Sequence, residues 1–506
     1  MISRSAQLPR ATGPSTTAWI MFALCLAVCG SAITGRSFWI DEIETARIAQ
    51  QPSLAAAWRE VFRINGSDAQ MPFNILWVWL CGHVVGTSEL ALRAVNTFWF
   101  IPGVMTFALA VTKRPARWVL FAVTAASPLL WYYLNEARSY SMQAGESLFL
   151  FGVLTHWWLN QEIPIHKERW RAAGFALALV LLGGSSMLGM IFTVTPLLMA
   201  AVLLPPKRLQ EFGRTFLPFW MTTLILFFLT GVYYLWTLHK GARATAIAGT
   251  NWSNLAFISY ELFGGDGLGP GRSEIREQGL RVFRPYASQL VFYGVTVLVF
   301  IAVAIREIRQ KLGGKKLFWL AVAVGLPAAF ILTAGAVLKF RVLGRHFSPL
   351  LPVVLGILAI GILTVWRRGV AGKILVSIFF ALYLTSALSL RLAARHEKDN
   401  YRAAAALAKK TAAAGKTVWW NAMRNGAIYY HVPMTDRAES QPGVNMIPYP
   451  GHDPLPTNQP DLILTTRPDV LDVEGVMAAY LKREHFQPTT NIKGFILWQK
   501  PADAEK

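Results

Sequence analysis

Long apolar runs alternate along this chain with short gaps, and every second gap is basic. A helix that crosses a bilayer needs about 20 apolar residues, and Lys and Arg collect on its cytoplasmic side. Runs near or above that length fall at 18–34, 88–111, 118–134, 140–159, 172–185, 187–204, 216–238, 290–305, 317–338, 347–366 and 374–390. They predict an all-α polytopic membrane protein with about 11 transmembrane helices. The basic gaps hold Lys113, Arg114 and Arg117; Lys167, Arg169 and Arg171; and Lys207, Arg208 and Arg214. Next come Arg306, Arg309, Lys311, Lys315 and Lys316, then Arg367, Arg368 and Lys373. The bias puts these gaps and the N-terminus in the cytoplasm.

With 54% apolar and only 15% charged residues, the chain is far from a soluble composition, in which about a quarter are charged. The net charge of +21 does not point to nucleic acid, because the basic residues sit in short gaps between apolar runs. Cys25, Cys29 and Cys81 are too few, and too deep in apolar runs, to imply a disulfide framework.

The extracytoplasmic side then receives a first loop at 35–87, a turn at 135–139, a long loop at 239–289, a turn at 339–346 and the tail. A membrane domain at 1–391 precedes a tail domain at 392–506, where "NYRAAAALAKKTAAAG" reads as a helix closing at Gly415. "KTVWW", "DLILTT" and "GFILWQK" read as strands, so the tail is expected to be a small extracytoplasmic α/β domain. Two places break the charge rule. Lys339, Arg341 and Arg345 crowd one outer turn, and Arg272, Arg276, Arg281 and Arg284 gather in the long loop. An anionic ligand is the simplest reason for such charge on that side.

The first outer loop opens with "WIDEIETARIAQQ", which sets Asp41, Glu42 and Glu44 beside the membrane. This stretch and "AAAWREVFR" are amphipathic at helical spacing and are expected on the membrane surface. The apolar stretch 71–86 is short for a span and would invert every later loop, so it reads as an interfacial or re-entrant helix. Asp41 by position alone also suits a helix N-terminus, where it favours the dipole.

Asp41-Glu42 after an aromatic-rich segment, followed by "PFNILWVWLCGHVVGTSELALRAVN", resembles the first loop of the GT-C membrane glycosyltransferases. The resemblance is to the protein mannosyltransferase and aminoarabinose transferase groups. They carry an Asp-Glu pair, a Pro-led interfacial helix, then Gly-x-(Ser/Asn)-Glu-x-x-x-Arg; Gly86, Ser88, Glu89 and Arg93 fit that pattern. "SPLLWYYLNEARSYSMQ" is similar to a Ser-Pro, aromatic, Glu-Ala-Arg-x-Tyr stretch of the same group, through Ser127, Pro128, Tyr132, Tyr133, Glu136, Ala137, Arg138 and Tyr140. "RHFSPLLPVV", with Arg345, Pro349 and Pro352, resembles its Arg-Tyr-x-x-Pro-x-x-Pro. Gln70-Met71-Pro72 stands where many relatives have His-Pro-Pro, and His346 replaces the commoner aromatic.

The resemblance implies a sugar donor on polyprenyl phosphate and transfer to an acceptor outside the cytoplasm, which is an envelope glycan, lipid or protein. It implies residence in the bacterial inner membrane among its lipids. Such a transfer wants a base near the nucleophile and positive charge near the departing phosphate. Asp41 is the expected base, with Glu42 a second candidate or an orienting group. For the phosphate the order is Arg345, Arg138, then Lys339 and Arg341; Arg345 offers a fixed, bidentate guanidinium. Arg138 alternatively pairs with Glu136 or Glu89, and Arg93 snorkels or pairs with Glu89. Tyr132, Tyr133 and Trp77 are expected to wall the lipid and sugar. No cofactor or metal is expected from the residues, since no Asp-x-Asp pair occurs, although some GT-C enzymes use a divalent ion. A transporter would place its acids mid-span and show paired halves, and a non-catalytic scaffold of the same fold would lose the base.

Overall fold

The computed structural model describes residues 15–64, 66–240, 250, 252–272, 274–275, 279–435, 443–447, 449–451 and 455–501. Arg276 and residues 241–249 of the long loop lie outside the described residues.

Each of the eleven apolar runs is helical over most of its length. Among the described residues, five helices are long and apolar enough to cross a membrane: Glu89–Leu109, Leu217–His239, Gly279–Val337, Gly344–Trp366 and Val370–Leu392. Thr16–Ala32 (α1) is apolar but shorter. Two of the expected runs, 290–305 and 317–338, share the helix Ala287–Val337, which breaks at Gly313 with φ 80° and ψ 159°. The run 118–134 is interrupted at Ser127, because Pro128 has no N–H to give and disfavours helical geometry in the residue before it.

Small residues set close helix contacts. Thr97–Leu109 lies against Tyr140–Leu159, and a Cβ on Gly145 would sit 2.4 Å from the Trp99 carbonyl oxygen. A Cβ on Gly103 would likewise meet the Gly145 oxygen at 2.4 Å. Such backbone-to-backbone approach is how helices gain packing where lipid supplies no hydrophobic drive between them.

The first long connecting segment folds as Ile40–Ala49 (α2), Leu54–Ile64 (α3), a short 3₁₀ turn at Ser67–Gln70 and Pro72–Val85 (α4). α2 is largely enclosed by protein. Ile40, Ile43, Ala46, Ile48 and Ala49 are all buried, and so are Glu42 and Thr45. α2 packs on α3 and α4 on one side and on the helix Arg424–Tyr429 of the tail on the other. Only the stripe of Asp41, Glu44 and Arg47 stays partly exposed, and polar residues on the buried faces must find partners.

The tail carries a six-stranded sheet of Val418–Asn421 (β1), Met434–Thr435 (β2), Val444–Met446 (β3), Leu462–Thr465 (β4), Gln487–Ile492 (β5) and Phe495–Gln499 (β6). The order is β2-β3-β1-β4-β6-β5, with the first four parallel and β6 and β5 antiparallel. "KTVWW", "DLILTT" and "GFILWQK" supply β1, β4 and β6, and the Ala-rich helix runs Tyr401–Ala413. Strand alternation sends neighbouring tryptophans to opposite faces. Trp420 joins a core with Tyr401, Ala404 and the α2 residues Ile40 and Ile43, while Trp419 packs with Met477 and Tyr480.

Gly145→Ala is expected to lower stability by about 1–3 kcal/mol, since both sides of the contact are backbone. Gly356→Ala, with open space around its Cβ, serves as the control. Thermal unfolding in detergent reads the difference; equal melting of the two variants would remove this contact from the account.

Candidate functional site

The three carboxylates at the start of α2 have three different environments. A helix turns about 100° per residue, so Glu42 and Asp41 cannot face the same way, whereas Asp41 and Glu44 nearly do. Glu42 faces inward. Its Oε1 accepts from Arg93 Nε at 2.9 Å and from the Ala137 N–H at 2.8 Å, and its Oε2 accepts from Arg93 Nη2 at 2.7 Å. Lys398 Nζ, from the tail, lies 3.7 Å from the same Oε2. Burial opposes the charge, but Lys398 and Arg93 outweigh it and hold the carboxyl below its ordinary range.

Arg93 completes the knot by donating to the carbonyls of Thr34 at 2.9 Å, Arg36 at 2.6 Å and Ser37 at 3.3 Å. Its partner is therefore Glu42, not Glu89. Glu89 pairs with Arg402 of the tail at 2.5 Å. Both oxygens of Glu42 being taken up by protein donors, this residue positions α2.

Asp41 is half-buried in the first turn of α2, and its carboxylate has no hydrogen bond or ion pair among the described residues. Its charge acts on Arg138, Arg345 and Arg467, on Glu44 and on Tyr140 and Tyr401. Glu44, one turn on, approaches Asn425 Nδ2 at 3.4 Å. Burial, with Asp68 and Asp41 nearby, pushes its carboxyl up to about 8 against the pull of Arg138.

Arg138 is buried and committed. Its Nη1 donates to both oxygens of Asp68 at 2.7 and 2.9 Å, to Thr45 Oγ1 at 3.1 Å and to the Asp41 carbonyl at 3.2 Å. Its partner is Asp68 rather than Glu136 or Glu89. Arg345 is different. Its guanidinium stands 5.4 Å from the Tyr140 ring and its buried Nε has no hydrogen-bond partner.

Tyr133 and Tyr140 pack at 5.0 Å, and Tyr132 packs on Tyr133 at 5.0 Å. Arg272 of the long loop lies 4.3 Å over Tyr132, donates to the Tyr133 hydroxyl at 3.3 Å and pairs with buried Glu261. Asp41, Arg138, Arg345, Tyr133 and Tyr140 are thus drawn into one neighbourhood. Lys339 and Arg341 are exposed on the same outer turn as Arg345, without a contact to that neighbourhood. Trp77 lies elsewhere, in an aromatic cluster with Phe98 and Trp99 at 4.9 and 4.8 Å.

Sequence reading missed Asp68, Lys398, Trp39, Tyr401 and Arg467. Asp68 carried no periodic or motif signal inside "NGSDAQ". Arg467 did carry one, a basic residue between the end of a strand and a proline. Among the described residues no group of three or more His, Cys, Asp and Glu is arranged to hold a metal ion.

No protein-family model matches the chain, and no curated protein matches it either. Among solved structures it is similar to ArnT from Cupriavidus metallidurans in the apo state, with TM-score 0.48 and 13% identity over 96% of this chain and 98% of that one. The same protein bound to undecaprenyl phosphate gives TM-score 0.42 and 12% identity over 97% and 99%. Arabinofuranosyltransferase AftD from Mycobacteria gives TM-score 0.41 and 14% identity over 97% of this chain and 40% of that one. At these scores and identities the reading of function rests on this chain's own residues.

Two outcomes follow from the geometry. Arg93→Leu strands a buried carboxylate and is expected to cost about 3–5 kcal/mol, seen as a lower unfolding temperature. An undiminished melting temperature would sink the structural role given to the pair. Glu44 binds its proton more tightly folded, at about 8, than at its ordinary 4.5. The folded state therefore holds more protons across that window, and stability falls as pH rises through it. Glu44→Gln is expected to flatten the decline in melting temperature between pH 5 and 8, and parallel curves would refute it.

Proposed function

We propose that this chain is a membrane glycosyltransferase that moves a sugar from a polyprenyl-phosphate donor to an extracytoplasmic acceptor. One observation carries the reading: an unpartnered carboxylate, Asp41, and an unpartnered guanidinium, Arg345, share a buried neighbourhood in which every other strong charge is already paired or protonated. Buried polar groups normally find partners within the protein, so two opposite charges left open within electrostatic reach of one another suit a substrate with both a hydroxyl to deprotonate and a phosphate to receive.

In this reading the acceptor oxygen attacks the anomeric carbon, its proton passes to the Asp41 carboxylate, and the bond from that carbon to the phosphate oxygen breaks. The bonding pair leaves with polyprenyl phosphate, whose developing charge Arg345 receives. Arg138 adds positive potential while Asp68 fixes its orientation. Glu44, protonated near neutral pH, removes a competing negative charge from beside Asp41. Tyr132, Tyr133 and Tyr140 wall the reacting end, and Lys339 and Arg341 meet the anionic donor at the rim. Trp77, beside the exposed Phe98, belongs to the lipid side of the wall. About eleven spans, a cytoplasmic N-terminus, an extracytoplasmic domain at 392–506 and residence in a bacterial inner membrane go with this reading.

The test is release of free polyprenyl phosphate from undecaprenyl- and decaprenyl-phosphate sugars, with crude envelope as acceptor. Asp41→Asn is expected to slow release by about 10²–10⁴-fold while the protein stays folded and binds donor. Arg345→Ala is expected to weaken donor binding as well as turnover. Equal release from native chain and Asp41→Asn would remove Asp41 from the step, and no release from any of the donors would remove the activity.

A further inference from the structure

The tail's parallel strands point their carboxyl ends at α2. In sheets of this kind ligands bind outside those ends, where successive connections leave in opposite directions. Here β1 connects onward to β2 on one side, while β4 lies on its other side, so the reversal falls between β1 and β4. Their ends are joined there, Thr466 N–H donating to the Asn421 carbonyl at 3.2 Å. The segment after β1 brings Asn425 against Arg47 and Glu44 of α2. The segment after β4 brings Arg467, in left-handed backbone at φ 46° and ψ 60°, a conformation that a non-glycine residue adopts only when its surroundings hold it.

Four buried polar atoms without an aligned hydrogen bond lie around this junction, Trp39 Nε1, Asp399 Oδ2, Tyr401 Oη and Arg467 Nε, with the Met423 backbone near the Tyr401 hydroxyl. Arg467 Nε lies 3.3 Å from Asp399 Oδ2 without the alignment of a hydrogen bond, and its guanidinium stands 5.6 Å from the Trp39 ring. Tyr401, itself fully buried, lies within electrostatic reach of Asp399, Arg467 and Asp41. Gly494 makes room for Asp399. With φ +79°, it would put a Cβ 2.4 Å from Asp399 Oδ1. Two donors from rigid rings, beside an ion-paired carboxylate and guanidinium whose facing atoms make no aligned hydrogen bond, suit a polyhydroxylated ligand whose hydroxyls both give and accept.

We infer that Trp39, Asp399, Tyr401 and Arg467 form the acceptor subsite and that its ligand is a saccharide. This rests on the transferase reading above. Arg345 stands with Tyr140 on the membrane-domain side of Asp41, and this cluster stands on the tail side. An in-line displacement needs its nucleophile opposite its leaving group, so the hydroxyl enters from the tail side, past Arg467, with Asp41 between.

Two measurements test the subsite separately from the reaction. The first is binding to the full chain of soluble neutral, amino-substituted and uronic-acid oligosaccharides, followed by calorimetry and Trp fluorescence. Native protein is expected to bind at least one class, with affinity about 10- to 100-fold lower in Arg467→Ala and partly restored in Arg467→Lys. Tyr401→Phe, which keeps the ring in its core and removes only the hydroxyl, is expected to weaken binding without lowering the melting temperature. Failure of every saccharide to bind, or equal binding by all variants, overturns the subsite whatever the release assay shows. The second measurement splits the kinetics. Arg467→Ala is expected to raise the KM for acceptor by a similar factor, with the KM for donor changed less than about twofold. A raised donor KM instead would give the cluster to the donor's own sugar and overturn the acceptor assignment. Saccharide binding that the variants lose, alongside absent polyprenyl phosphate release, would retain the subsite and discard the transferase.

Discussion

The ion pair of Glu42 with Arg93 is the contact on which the packing around α2 depends. Its two side chains are 0% and 1% exposed, so each would be costly to bury alone. Together with Ala137 N–H, Lys398 and three carbonyls they bind the end of α1, the start of α2, the helix Glu89–Ala94, the 135–139 turn and the tail into one unit. The helical angle does the rest. With Glu42 locked inward, Asp41 is turned away from the knot, and Glu44 comes round beside it.

The same logic sorts the cations. The basic residues near the site do not form a single signal for an anionic ligand: exposed Arg281 and Arg284 apart, they divide into two populations. Arg93, Arg138 and Arg272 are each matched to a buried acid, Glu42, Asp68 and Glu261 respectively. They hold loops to the membrane domain. Arg345 has only aromatic company, and Lys339 and Arg341 face outward. A charge count along the chain therefore overstates the ligand-facing charge, because compensating acids such as Glu42 and Asp68 are distant in sequence.

That division explains what could be read from residues alone. Helix positions were legible because length and apolar composition are local properties, and each run is helical. The tail's strong strands were legible too, since β1, β4 and β6 are short, apolar and bounded by turn residues. The weaker strands β2, β3 and β5 went unread, having little apolar content of their own. The enclosure of α2 by protein was not legible, because Glu42 and Thr45 meet buried partners, Arg93 and Arg138, supplied by distant segments. The pairs Arg93–Glu42 and Arg138–Asp68 span 51 and 70 positions, which no periodicity can report.

The tail is not an appendage to the membrane domain. Phe38, Ile40, Ile43 and Ala46 share one apolar core with Tyr401, Ala404, Trp420 and Leu464, so α2 is packed between the two. A helix held by a core on each side cannot rotate without opening one of them, and packed cores resist continuous deformation. The orientation of Asp41 relative to Arg345 on the membrane side, and to Arg467 on the tail side, is therefore set by the same packing. Loosening the tail would disturb both halves of the neighbourhood at once, although Asp41 and Arg345 both lie outside it. The tail's sheet thus acts on the chemistry by fixing the angle of one ten-residue helix.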